Sequence, residues 1–112
     1  MEKFIVIKTS LFDEQVEKLN GVNKGRVARI LDHLAESGNV VGKPLSFPFF
    51  REKKFNGSRL YYLIYLEWNA LLVITIGNKK EQPETIAYIK ENLPQYKTYI
   101  RQRLTELRII WF

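Results

Sequence analysis

The stretch FFREKKFNGSRLYYLIYLEWNALLVITIGNKKEQ, residues 49–82, decides the fold. At its centre, Asn56-Gly57 is the strongest short hairpin signal available, because both residues tolerate the positive φ of a type I′ turn. Before it, Leu45 to Phe55 reads as a strand, and Pro48 marks an edge or a bulge near its start. After it, Arg59 to Glu67 carries apolar residues on both faces and reads as a central strand. Trp68-Asn69-Ala70 turns the chain, and Leu71 to Gly77 is another buried strand. Three consecutive strands joined by short turns predict an antiparallel meander.

Towards the N-terminus, Lys3 to Thr9 (KFIVIKT) is a short β-branched run and predicts a strand. Ser10 and Asp13 form an S-x-x-D pattern in which Ser10 caps a helix. Phe12, Val16 and Leu19 share one face of that helix, and Asn20-Gly21 supplies its stop. A second helix spans about Lys24 to Glu36, where Val27, Ile30, Leu31 and Leu34 make an amphipathic stripe. Ser37-Gly38-Asn39 ends it. Towards the C-terminus, Pro83 suits the first turn of a third helix, striped by Ile86, Ile89 and Leu93. Pro94 stops or kinks it, and Tyr96, Ile100, Leu104 and Leu107 continue a helical pattern. The apolar end, Ile109 to Phe112, is expected to dock or to mark a contact surface. The predicted order is β-α-α-β-β-β-α: an α+β fold with an antiparallel sheet packed against a helical hairpin.

The totals bound the function. A chain of 112 residues without repeats or linkers suits one domain, 1–112. Cysteine is absent, which excludes disulfides and thiolate metal sites and fits a cytoplasmic setting. Met1-Glu2-Lys3-Phe4 does not read as a signal peptide, and no run approaches the roughly 18 apolar residues of a membrane span, so no membrane role is expected. The net charge of +6 biases the surface towards polyanions, nucleic acid or an acidic protein, although charge of this size also serves solubility.

Most catalytic sets are missing. His33 is the sole histidine and falls on a polar helical face, which excludes a histidine pair within one chain. The carboxylates are too scattered for a metal site, and no phosphate loop occurs; neither metal nor other cofactor is expected. What remains is a cationic cluster. Arg51, Lys53, Lys54 and Arg59 flank the turn, and Lys79-Lys80 follow the next strand at the same end of a sequential sheet. With a two-residue turn, Lys54 opposes Arg59 and shares a face with Phe50, Glu52 and Tyr61, while Arg51 and Lys53 point the other way. A bulge at the turn would swap these sets. The same cations could instead be edge charges that guard against strand addition. Tyr61, Tyr62 and Tyr65 could stack bases, or could be core.

The G-x-R-x-x-Y run from Gly57 to Tyr62, the strand ending I-x-x-G-x-[KR] and the preceding helical hairpin together resemble the RelE/ParE toxin superfamily over roughly residues 3–90. RelE-like members cleave mRNA in the ribosome through basic side chains by 2′-hydroxyl attack. ParE-like members share the fold and act on gyrase. Both have antitoxin partners, and a RelE-fold protein that only binds antitoxin or RNA is a third possibility. The resemblance implies that Arg59 contacts the scissile phosphate and that Lys79 stands for a second family arginine. It makes Lys54, or Lys53 with a bulge, the strand lysine acting as base or phosphate ligand. The other strand position is Glu52 by strict parity, a departure from the family, or Arg51 with a bulge. The family tyrosine has no exact counterpart: Thr85 is nearest and Tyr88 lies one turn on. Lys80, Tyr61 and Tyr88 are the expected additional RNA contacts.

Overall fold

The computed structural model describes residues 4–110. In chain order the elements are β1 (Ile5–Lys8), α1 (Ser10–Glu17), α2 (Gly21–Val41), β2 (Lys43–Leu45), β3 (Phe47–Phe55) and β4 (Ser58–Tyr65). A short 3₁₀ turn (Leu66–Trp68), β5 (Ala70–Asn78), α3 (Gln82–Glu91) and α4 (Leu93–Glu106) complete the order. The sheet runs β1-β5-β4-β3-β2. The meander β3-β4-β5 is antiparallel as expected. The helical hairpin α1-α2 carries the chain from β1 at one edge of the sheet to β2 at the other, and β1 lies parallel to β5.

Alternation along β3 and β4, and along β5 up to a bulge opposite Tyr61 and Tyr62, builds two cores. Phe55, Leu60, Tyr62, Ile64, Leu71 and Val73 meet Phe12, Val27, Ile30 and Leu34 of the helical hairpin. Phe50, Tyr61, Leu63, Leu72 and Ile74 meet Ile89, Ile100 and Leu104 of α3 and α4 on the opposite face. The helices that follow Pro83 and Pro94 thus cover the second face, and each begins with its proline in the first turn, where the missing N–H costs no bond. Ile110 packs against this second core. Lys3, Trp111 and Phe112 lie outside the described residues.

Four local expectations are corrected. Thr9, not Ser10, caps α1: its backbone is extended and its hydroxyl accepts from the Phe12 N–H at 3.1 Å. Asn20 does not stop α1 but caps α2, accepting from the Asn23 N–H at 2.8 Å. The helix predicted to end at Ser37-Gly38-Asn39 only kinks at Ser37 and continues to Val41. The Tyr62 hydroxyl donates to the Gly38 carbonyl at 2.6 Å and accepts from the Gly42 N–H at 3.0 Å, tying the last turns to β4. A Cβ at Gly38 would press on the Leu71 side chain, which would have to shift to admit it. Finally, the predicted strand Leu45–Phe55 is two strands, broken where Ser46 takes a φ of 61°.

Candidate phosphate site at the hairpin end of the sheet

Asn56 and Gly57 take φ values of 46° and 78°, the type I′ turn the dipeptide favours. The two-residue loop fixes the register: Phe55 opposes Ser58, Lys54 opposes Arg59 and Glu52 opposes Tyr61, with no bulge between β3 and β4. On the other side of β4, Arg59 pairs with Gly77. The face carrying Phe50, Glu52, Lys54, Arg59 and Tyr61 is therefore the face that α3 and α4 cover.

Two like charges directly opposed across strands repel. The structure resolves Lys54 against Arg59 by turning Arg59 inwards. Its Nε lies 3.4 Å from Glu52 Oε2, the diagonal neighbour on β3, and both residues are buried, 6% and 2% exposed. The same Glu52 oxygen accepts from Gln82 Nε2 at 2.7 Å, so the first turn of α3 closes over the pair. The Arg59 Nε–H has no well-aligned acceptor despite the short charge separation, so the contact is an ion pair without a linear hydrogen bond. The Tyr61 hydroxyl is buried beside it without a hydrogen-bond partner. Burial first, then the Glu52 carboxylate, pushes that phenol up to about 12. A phosphate that recruits Arg59 must displace or share Glu52, and the arginine's charge is already cancelled within the fold.

Among the expected site residues, the structure brings Arg59, Lys54 and Tyr61 to one face and leaves Lys79 and Lys80 exposed just past the end of β5. Tyr61 is fully buried, so its ring offers no open face to a base. Arg51 and Lys53 point to the opposite face, because the turn that could have swapped them has no bulge. Arg51 is committed to the backbone: Nη2 and Nε donate to the Gly42 carbonyl at 2.6 and 3.1 Å, and Nη1 donates to the Pro48 carbonyl at 3.3 Å. Tyr88 is exposed on α3 in a shallow depression with Glu81, Glu84 and Thr85. Thr85 itself approaches Gly77 alongside the Tyr61 ring. Gln82 was not anticipated. Its only sequence signal is its place one residue before Pro83, at the start of a helix.

These features define a class: a helical-hairpin crossover, a five-stranded sheet covered on both faces, and a cationic turn beside an arginine at the head of the central strand. Solved structures place that architecture. The chain has the RelE toxin fold. It superposes on free E. coli RelE, a double mutant, with a TM-score of 0.63 at 20% identity, covering 80% of this chain and 99% of that one. Against a RelE double mutant bound to a peptide of the antitoxin RelB, the values are 0.62 and 19%, covering 74% and 94%. For the RelBE2 toxin-antitoxin complex of Mycobacterium tuberculosis they are 0.60 and 20%, covering 69% and 99%. No family model matches the sequence, and no curated protein matches it. Among the described residues, no helix is long and apolar enough to cross a membrane.

Proposed function

We propose that the chain is a RelE-like toxin, restrained by a cognate antitoxin, that acts in the cytoplasm on mRNA in the ribosome as a metal-independent endoribonuclease. The observation that carries this is the placement of Arg59 at the turn end of the central strand, opposite Lys54 and beside the strand that leads into Lys79 and Lys80. RNA supplies its own 2′-hydroxyl nucleophile. The protein's task is to hold the scissile phosphate in line and to stabilise charge on the phosphorane-like transition state. Lys54 and Lys79 are the exposed cations available for this. Arg59, with its planar fork, is the strongest phosphate ligand once freed.

One observation favours a second reading, a weak nuclease that inhibits by binding: Arg59 is held by a buried carboxylate that is itself held by Gln82. Expression in a bacterial host without antitoxin separates the two. Growth arrest with mRNA cut within ribosome-bound codons, relieved by Lys54→Ala with Lys79→Ala, supports cleavage. Arrest of translation with intact mRNA supports binding alone. DNA damage with translation intact points to gyrase and overturns both.

A further inference from the structure

The side of the hairpin facing away from Arg59 carries a cleft of its own. It has a volume of about 570 Å³ and lies between α2 and the end of β3. Arg26, Arg29 and His33 line it from the helix, Lys53 faces it from the strand, and Lys54, whose parity sets it on the Arg59 face, reaches its edge. Arg26 and Arg29 are three apart, so both project from one helical face. Lys53 reaches this side by the same parity that sends Glu52 and Arg59 to the other. Asn23 fixes the rim: its side-chain oxygen accepts from Arg26 Nη1 and from Asn56 Nδ2, each at 3.3 Å, which links the helix to the turn.

The cations here outnumber the nearby carboxylates. Among the described residues, Asp32 is the one carboxylate in the lining, and neither arginine nor either lysine forms an ion pair. Like charges gathered in a concavity raise its potential, because low-dielectric walls focus the field. A fold that gathers four cations around a single carboxylate leaves net positive charge free for an external anion. The apolar lining is confined to Ile30 and Phe55, both buried. A protein ligand would need an exposed apolar or aromatic anchor at the centre of its interface, and the cleft offers none. Paired guanidinium forks facing lysines suit successive phosphates instead.

We infer that this cleft is a second nucleic-acid site, which takes the sugar–phosphate backbone of RNA on the face of the hairpin opposite Arg59. The hairpin would then sit between two phosphate-binding surfaces, one closed by Glu52 and one open. Neither arginine belongs to the Arg59 site, so the inference holds whether or not RNA is cut.

The test is fluorescence anisotropy of a labelled 20-base-pair RNA duplex with the purified full chain across a NaCl series. Duplex binding by wild type should weaken steeply with salt. The variant Arg26→Ser/Arg29→Ser should bind about tenfold or more weakly at 0.1 M NaCl, and its log–log salt slope should be shallower by about one unit per arginine. Lys53→Ala should shift the slope the same way by about one unit. A Lys79→Ala control should leave the effect of the arginine pair unchanged, and thermal melts confirm that the variants are folded. Unchanged affinity and slope in the folded arginine variant overturn the proposal. So does polyglutamate that displaces the duplex at equal charge concentration, since the cleft would then be a site for an acidic protein.

Discussion

The two faces of the hairpin treat the same kind of charge in opposite ways. On the face covered by α3, Arg59 lies buried against Glu52, and the half-buried Gln82 completes the contact. On the α2 face, Arg26, Arg29 and Lys53 stand around an open cleft without an ion pair. Adjacent residues of β3, Glu52 and Lys53, feed the two arrangements. The difference teaches that cationic residues near a turn are not one cluster. Strand parity divides them into a buried pair whose charge the fold has cancelled and an open set whose charge is left for a ligand.

The largest expected effect breaks the buried side. Glu52→Ala leaves the Arg59 guanidinium buried without its counter-charge. Unfolding by urea should show a loss of about 3–5 kcal/mol. Replacing both partners with apolar residues, Glu52→Leu with Arg59→Met, removes the desolvation cost of both ions and should restore most of that loss. A single Glu52→Ala variant that loses less than about 1 kcal/mol would show that Arg59 is already solvated, and the contrast between the faces would collapse. Gln82→Ala probes the same pair more gently. It removes one hydrogen bond to a charged group, so a loss of about 1.5–3 kcal/mol is expected by the same measurement. It should also loosen the start of α3, seen as faster amide exchange there than in α2.

How much of this was legible beforehand follows from what each feature depends on. Asn56-Gly57 and the alternation of β4 were enough for the register. They therefore placed Lys54, Arg59, Glu52 and Tyr61 on one face, because turn type and a period of two are local properties. The closure of Glu52 on Arg59 was not legible. It is a diagonal contact chosen by side-chain rotamers under a helix from beyond the strand. Gln82 likewise acts only because α3 folds back over β3. The helix end at Ser37-Gly38-Asn39 misled because a distant hydroxyl, that of Tyr62, holds the continuing turns in place. The break at Ser46 had only Pro48 as a nearby warning. The α2 cleft was invisible for a similar reason. Arg26 and Arg29 lie outside the apolar stripe of α2, and only tertiary packing sets them across a cleft from Lys53.

The smallest expected effect is on the open side and concerns stability alone. Arg29 is exposed and unpaired, so Arg29→Ala should change the unfolding free energy by no more than about 0.5 kcal/mol. The sign is informative, because the arginine repels its neighbours in the cleft and its removal should stabilise slightly. Repulsion between exposed charges is screened over a Debye length that shrinks from about 30 Å at 0.01 M salt to about 10 Å at 0.1 M. Wild-type stability should therefore rise as NaCl is raised across that range, and Arg29→Ala should flatten the rise. The cost of Glu52→Ala should barely depend on salt, since ions do not reach a pair that is nearly fully buried. Equal salt dependence in the two variants would mean that the charges on both faces are solvated alike, and the division of the hairpin into a cancelled and an open face would fail.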